Sequence, residues 1–186
     1  MSGSTRRFRR TMLAAWETPN RSANMNRRCC LLLLFLALVI GARAGDSGPA
    51  PRFNAKTTAG EKFTSDSLKG HVVLLQFWTT WCPYCRREQP LVDSLDKEFR
   101  DQGLIVLAVD VNESKKAVRK YLEQNPRACR IVLTEDTNLA AMYAANSYPI
   151  YVVIDREGNI VREQRGAAGE RALRSMLARA GLSASQ

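Results

Sequence analysis

Histidine is almost missing from this chain of 186 residues, which contains a single one, His71. Cysteine is scarce too, with five in all, so the chain is not a small scaffold held together by disulfides. A structural zinc site needs about four ligands, and covalent haem needs a histidine directly after a Cys-x-x-Cys pair. In this chain Arg86 follows that pair. The sequence therefore excludes covalent haem and argues against structural zinc.

Apolar runs long enough to span a bilayer are also missing. The longest run, Cys29–Ile40, has twelve residues, whereas a membrane-spanning helix needs about 20. Two arginines precede this run and Ala42-Arg43-Ala44 follows it. A short basic segment, an apolar run and a small-x-small junction form the pattern of a secretory signal peptide. We therefore predict a signal peptide at 25–44, with a short uncleaved membrane anchor as the alternative.

The residues before and after this segment are assigned to an upstream extension, a linker, a domain and a tail. Translation is expected to start at Met25, which makes residues 1–24 an upstream extension that is not part of the native protein. A twin-arginine signal in "RRFRRTML" is the alternative. The small, Pro-containing stretch 45–51 is typical of a linker. Residues 52–182 are predicted to form one domain, followed by a tail at 183–186.

Acidic residues are scarce only in the N-terminal segment, residues 1–44. Residues 1–44 hold eight arginines and one acidic residue, whereas the remainder holds 20 basic and 17 acidic residues. The formal net charge of +10 therefore belongs mostly to a segment that we expect to be removed or inserted. A nucleic-acid-binding domain carries its basic excess on the folded surface. We expect no nucleic-acid partner.

Apolar periodicity in the predicted domain indicates strands alternating with helices. Strands are predicted at 72–78, 104–111, 130–136, 150–155 and 160–166, the last two as a hairpin. Helices are predicted at 83–101, 114–124, 136–145 and 169–180. This order favours an α/β fold with a central mixed β-sheet and helices on both faces.

The segment "WTTWCPYCRREQP" at 78–90 carries the most specific chemistry in the chain. Pro83 suits the first position of a helix, where its missing N–H costs nothing. Cys82 then faces the unpaired N–H groups and the positive end of the helix dipole, which favour a thiolate. Cys85 lies one turn on, where it can resolve a mixed disulfide. A static structural disulfide is the alternative, although so short a loop gains little stability from closure. We predict a redox-active pair and expect Cys129 to be a buried apolar residue.

The same segment resembles the "FWATWCxPCRxExP" stretch of the thioredoxin superfamily, in its exported TlpA/ResA/DsbE-like branch. The stretches "APRFNAKTTAGEKFTSDSLKGHVVLLQFW" and "YAANSYPIYVVIDREGNIV" extend the resemblance over about 51–182. It implies a thioredoxin-like fold and thiol–disulfide oxidoreductase activity. It also implies a cis peptide bond before Pro149, with Trp81, Tyr148 and Pro149 as the substrate-binding residues.

Three positions bear on how far the resemblance extends. Gln76 stands where cytoplasmic thioredoxins carry a buried aspartate, and glutamine cannot transfer protons. Glu88 matches the acid typical of the exported branch, and we expect it to be the third catalytic residue, acting as a general base. A surface carboxylate paired with Arg87 or Lys97 is the alternative. Ile150 replaces the threonine that usually follows the cis-proline.

These inferences predict an exported thiol–disulfide oxidoreductase acting through a Cys82–Cys85 couple, most simply a reductase of protein disulfides. Its expected partners are cysteine-containing client proteins, including those of cytochrome c maturation, and a membrane electron donor of DsbD/CcdA type. No cofactor or metal is assigned. A Cu(I) metallochaperone and a peroxide- or stress-linked thiol reductant remain the alternatives.

Overall fold

The structure is a computed structural model that describes residues 48–183. The predicted upstream extension and signal segment lie outside the described residues. The strands are β1 (Asn54–Thr57), β2 (Lys62–Thr64), β3 (Val72–Trp78), β4 (Leu104–Asp110), β5 (Arg130–Thr137), β6 (Ile150–Ile154) and β7 (Ile160–Arg165). The helices are α1 (Pro83–Phe99), α2 (Lys115–Gln124), α3 (Leu139–Met142) and α4 (Gly169–Arg179). No helix in this part of the chain combines the length and apolar content needed to cross a bilayer.

The strands form one mixed sheet in the order β2-β1-β5-β4-β3-β6-β7. Strand β4 runs parallel to β3 and β5, whereas the other neighbouring pairs are antiparallel. One face packs against α1, α2 and α4, and the other against α3 and the segment around Phe53 and Leu68. Because both faces are covered, every side chain of β3 and β4 is buried. The predicted mixed sheet and thioredoxin-like architecture are confirmed.

Helix α1 carries the cysteines and presents one continuous stripe to the sheet. Its buried residues are Cys85, Glu88, Gln89, Val92, Leu95, Asp96 and Phe99. Spacings of three and four place these side chains on the same side of the helix. Leu91, beside this stripe, is only partly buried and packs at the edge of the core. Cys85 and Glu88 thus both face the sheet.

The region between β5 and β6 differs from the prediction. A helix was predicted from 136 to 145, whereas α3 has only four residues. Residues 136 and 137 belong to β5, where Thr137 pairs with Ala55 of β1. Ala144 has a φ of 44°, a left-handed conformation that ends the helical segment. Strands β1 and β2 were not predicted because they are too short for a periodic signal.

The end of the predicted linker contacts the domain. Pro49 forms an isolated bridge with Asn159, and the Ala50 N–H donates to the Gly158 carbonyl at 2.9 Å. The Gly48 carbonyl accepts from Ile160 N–H at 2.8 Å. Residues 48–50 therefore extend along the turn between β6 and β7.

Candidate active site

Strand register brings two distant segments to the same edge of the sheet. Phe77 of β3 pairs with Ile150 of antiparallel β6, and Trp78 pairs with Asp110 of parallel β4. Residues that follow Trp78 therefore meet Pro149, which immediately precedes Ile150. This edge also receives the beginning of α1.

Cys82 and Cys85 form a disulfide at the beginning of α1, with their Cα atoms 5.3 Å apart. Cys82 is the N-cap residue, and Pro83 occupies the first helical position as predicted. The Cys82 sulfur accepts a hydrogen bond from the Cys85 backbone N–H at 3.1 Å. Both cysteines are nearly inaccessible in this oxidised state, with exposures of 3% and 0%. The structure thus brings the predicted redox pair within bonding distance at a helix N-terminus.

Exposed aromatic side chains surround this buried disulfide. Trp81 is 63% exposed, and its ring meets that of Tyr148 edge-on at 5.9 Å between centroids. Tyr84, on the other side of Cys82, is 52% exposed. The Tyr148–Pro149 peptide bond is cis, as the resemblance implied.

The backbone beside the cis bond has a free edge. The Tyr148 N–H and carbonyl make no backbone hydrogen bond with any residue in 48–183. In contrast, the Pro149 carbonyl accepts from Gly166 N–H at 2.8 Å. Tyr148 can therefore offer one donor and one acceptor to an extended segment of another chain.

Glu88 is buried, with an exposure of 7%. Its carboxylate accepts from the Tyr151 hydroxyl at 2.8 Å and from the backbone N–H groups of Ala168 and Gly169 at 3.2 Å and 2.5 Å. The two N–H groups belong to the N-terminus of α4, where the helix dipole favours negative charge. Neither Arg87 nor Lys97 contacts it, so Glu88 is not the surface carboxylate of the alternative hypothesis.

A buried chain of hydrogen bonds continues beyond Glu88. Gln76 lies directly opposite Tyr151 in the sheet, and its Nε2 donates to the tyrosine oxygen at 3.3 Å. Arg127 Nη2 donates to Gln76 Oε1 at 3.1 Å. Arg127 also binds Asp93 of α1 through its Nε, 3.0 Å from each carboxylate oxygen. Tyr151 and Arg127 were not predicted as site residues, although a hydroxyl in the otherwise apolar "IYVVI" strand is a signal of a buried hydrogen bond.

Two further acids lie at this edge and were also missed. Asp110 is fully buried, and neither of its carboxylate oxygens has a hydrogen-bond partner among the described residues. Burial, together with the neighbouring Glu113, raises the pKa of Asp110 to about 8. Glu113 accepts from the N–H and the hydroxyl of Thr80 at 2.5 Å and 2.6 Å. Glu113 thus anchors the loop that leads to Cys82.

Cys129 and His71 lie apart from this site. Cys129 is a buried free thiol whose pKa is raised to about 12 by burial, so it stays protonated and unreactive. His71 is exposed just before β3, and the cysteines follow the other end of this strand. Seven residues of strand separate those ends by about 23 Å. Within 48–183, no three His, Cys, Asp or Glu side chains are grouped closely enough to hold a metal ion.

A sequence profile of the AhpC/TSA family matches residues 47–163. The chain belongs to the AhpC/TSA family. The match spans the sheet from β1 into β7 and includes both cysteines and the cis-proline. With this thioredoxin-like fold and a cysteine pair at disulfide distance, the chain is a thiol–disulfide oxidoreductase.

Relatives of known name agree with this assignment. The chain is 33% identical over 125 residues to the thiol-disulfide oxidoreductase ResA of Bacillus subtilis, covering 67% of this chain and 70% of ResA. It is 36% identical over 124 residues to the thioredoxin-like protein YneN of the same organism, covering 65% and 71% of the two chains.

Solved structures show the same fold. StoA from Bacillus subtilis superposes with a TM-score of 0.60 at 25% identity, covering 70% of this chain and 98% of StoA. A thiol:disulfide interchange protein of the thioredoxin family from Chlorobium tepidum superposes with a TM-score of 0.63 at 27% identity. That match covers 72% of this chain and 96% of the Chlorobium protein.

Proposed function

We propose that this chain is an exported reductase of protein disulfides, with Cys82 as the nucleophile and Cys85 as the resolving thiol. The observation that carries this proposal is the position of Cys82 as N-cap of α1. Its sulfur accepts the Cys85 backbone N–H at 3.1 Å and faces the positive end of the helix dipole. Both interactions favour a thiolate on Cys82 once the disulfide is reduced.

The reaction has two exchange steps. The Cys82 thiolate attacks one sulfur of a client disulfide, so that a mixed disulfide forms and the first client thiolate leaves. The Cys85 thiolate then attacks the Cys82 sulfur, which releases the second client thiolate and forms the Cys82–Cys85 disulfide. Two electrons pass from the protein to the client. The oxidised protein is the state that the structure holds.

Client binding is assigned to the exposed surface around the disulfide. Trp81 provides apolar contact area, and Tyr148 provides a free backbone donor and acceptor next to the cis bond. An extended client segment can pair with this backbone while its cysteine reaches Cys82. Clients are therefore cysteine-containing proteins with an accessible, extended disulfide region, and apocytochromes awaiting haem attachment are one candidate class.

Glu88 is assigned as the group that accepts the Cys85 proton. A thiol buried in apolar surroundings is a poor nucleophile until it loses its proton. Glu88 lies three residues from Cys85 on the same buried stripe of α1. After accepting the proton, Glu88 passes it to water.

A reductase must regain two electrons after each cycle. The predicted signal peptide places the domain outside the cytoplasm, where the thioredoxin system of the cytoplasm cannot reach it. We therefore assign a membrane protein of DsbD/CcdA type as the electron donor.

Substitution of each cysteine tests the assigned roles. In Cys85→Ser the mixed disulfide cannot be resolved, so covalent complexes with client proteins should accumulate through Cys82. Cys82→Ser should trap almost none, because the resolving thiol does not make the first attack. Non-reducing electrophoresis of the exported fraction measures the complexes, with Cys129→Ser as the wild-type-like control. Equal trapping by both active-site variants would contradict the assignment.

The reduction potential tests the direction of electron flow. A reductase should have a potential near that of thioredoxin, about −270 mV, rather than near that of the oxidant DsbA, about −120 mV. Equilibration of the Cys82–Cys85 couple in defined glutathione buffers, followed by thiol alkylation and mass analysis, gives this value. A potential near −120 mV would make the protein an oxidase.

A further inference from the structure

The buried polar chain beneath the cysteine helix begins and ends on that same helix. Asp93 of α1 binds Arg127, Arg127 binds Gln76, Gln76 binds Tyr151, and Tyr151 binds Glu88 of α1. These contacts join α1 to β3, to β6 and to the segment before β5. They close a ring on the sheet-facing side of the helix that also carries Cys85.

Between Arg127 and Glu88, every hydrogen bond of this ring is donated in the direction of Glu88. The Arg127 guanidinium can only donate, so it fixes the Gln76 amide with its oxygen toward Arg127 and its nitrogen toward Tyr151. Burial and the nearby Glu88 raise the pKa of Tyr151 well above its usual range, so its hydroxyl keeps its proton. The Tyr151 hydroxyl therefore has a single O–H donor, and this O–H donates a hydrogen bond to Glu88 Oε2.

The side chains between Arg127 and Tyr151 are buried, so each has, among the described residues, only the hydrogen-bond partners that the ring provides. Gln76 is fully buried, Tyr151 is fully buried and the Arg127 side chain is only 1% exposed. Water is thus excluded from the amide and hydroxyl, and an unpaired polar group there would carry a large desolvation cost. The Arg127 guanidinium also lies over the Trp78 ring, 5.5 Å from its centroid, which fixes its position further.

We propose that Arg127, Gln76 and Tyr151 are positioning residues that hold the Glu88 carboxylate in the orientation needed to accept the Cys85 proton. This inference rests on the proposed role of Glu88 in disulfide exchange. Glutamine at position 76 is then part of the proton-handling site although it cannot itself titrate. Its amide transmits the orientation of Arg127 to Tyr151, and Tyr151 fixes one oxygen of Glu88.

A double-mutant cycle between Tyr151 and Glu88 tests the proposal. The full chain is reduced, and the rate at which it reduces insulin disulfides is measured from pH 6 to 9. Glu88→Gln should slow the reaction by roughly 10–100-fold. Tyr151→Phe should slow it by roughly 3–10-fold, the loss expected from one hydrogen bond, and should move the midpoint of the pH–rate profile. In the Glu88→Gln background, Tyr151→Phe should add less than about twofold, because coupled residues are not additive.

Tyr143→Phe is the matched control. Tyr143 is also buried, and its hydroxyl has no hydrogen-bond partner among the described residues, but it packs on the opposite face of the sheet. This variant should keep the wild-type rate and pH profile. Gln76→Met breaks the ring one step earlier and serves as a second variant if Tyr151→Phe folds poorly. It should show the same slowing and the same dependence on Glu88.

The outcomes separate the two proposals. Equal slowing by Tyr151→Phe in both backgrounds would overturn the positioning role and leave that of Glu88 intact. A wild-type rate and profile for both Tyr151→Phe and Gln76→Met would also overturn it. A wild-type rate for Glu88→Gln would refute the role of Glu88 and the positioning role with it, whereas client trapping by Cys85→Ser would still support the exchange reaction.

Discussion

Asp110 shows at the scale of one residue how burial changes an ionisable group. It ends β4 opposite Trp78, in a position where its carboxyl group is fully buried without a hydrogen-bond partner in the described part of the chain. Its pKa is raised from 3.8 to about 8, first because of burial and second because of Glu113. Burial also raises the pKa of Tyr148, and the charges of Asp110 and Glu113 raise it further. The folded protein therefore holds a proton on Asp110 at neutral pH.

This proton makes the free energy of unfolding depend on pH. Between about pH 4 and pH 8 the folded state keeps the Asp110 proton while the unfolded state loses it, so stability falls as pH rises through this window. Asp110→Asn should remove this fall in stability and raise the free energy of unfolding at pH 8–9 by roughly a few kcal/mol. Urea unfolding of the oxidised protein at pH 5, 7 and 9 measures the effect.

Asp101→Asn is the control for this measurement, because Asp101 is exposed. It should leave the pH dependence of stability as in the wild type. If Asp110→Asn shows the wild-type decline as well, another group causes the pH dependence and Asp110 is ionised in the folded state.

Helix N-termini organise the site at the scale of secondary structure. The N-terminus of α1 holds the sulfur of Cys82, and that of α4 supplies two backbone N–H groups to Glu88. Each terminus has unpaired N–H groups and a partial positive charge, so each stabilises an anion. The proposed nucleophile and the proposed base are thus held by two different helices that pack on the same face of the sheet.

Helix α2 uses its N-terminus for stability instead. Ser114 is the N-cap residue of this helix, and its Oγ accepts from Ala117 N–H at 3.2 Å. Ser114→Ala should therefore lower the free energy of unfolding by about 1 kcal/mol, without changing the rate of disulfide exchange. Ser175→Ala, an exposed substitution inside α4, should be neutral or slightly stabilising because alanine has the higher helix propensity. Denaturant unfolding of both variants checks the difference, and equal stabilities would show that the Ser114 cap contributes nothing.

At the scale of the whole molecule, the signal peptide predicted at 25–44 remains to be tested. If Ala42-Arg43-Ala44 is a cleavage site, the mature protein should begin at Gly45 and be recovered from the soluble exported fraction. N-terminal sequencing of the protein expressed from Met25 measures this. Ala44→Leu should block cleavage because the junction requires a small residue, whereas Ala37→Leu inside the apolar run should be processed normally. An intact Met25 start in the membrane fraction would instead indicate an uncleaved anchor.

The local sequence was sufficient wherever the structure depends on near neighbours. Pro83 and the apolar periodicity after it predicted a helix starting just beyond Cys82, and the helix predicted at 114–124 forms as α2. The helix predicted from 136 to 145 was wrong in length, because pairing of Thr137 with β1 extends β5 into the start of that segment. Propensity is a weak prior that tertiary pairing overrides.

The sequence by itself determined where the cysteine pair lies, because two cysteines and a proline at a helix start place a sulfur in a thiolate-favouring position without help from the rest of the chain. It also determined the alternation of strands and helices through apolar periodicity. Only the tertiary structure decided what surrounds Glu88. The contacts from Arg127 to Gln76, Gln76 to Tyr151 and Tyr151 to Glu88 span 51, 75 and 63 residues of sequence. They exist because the β3–β6 register sets Gln76 opposite Tyr151, and a shift of one residue would turn either side chain to the other face.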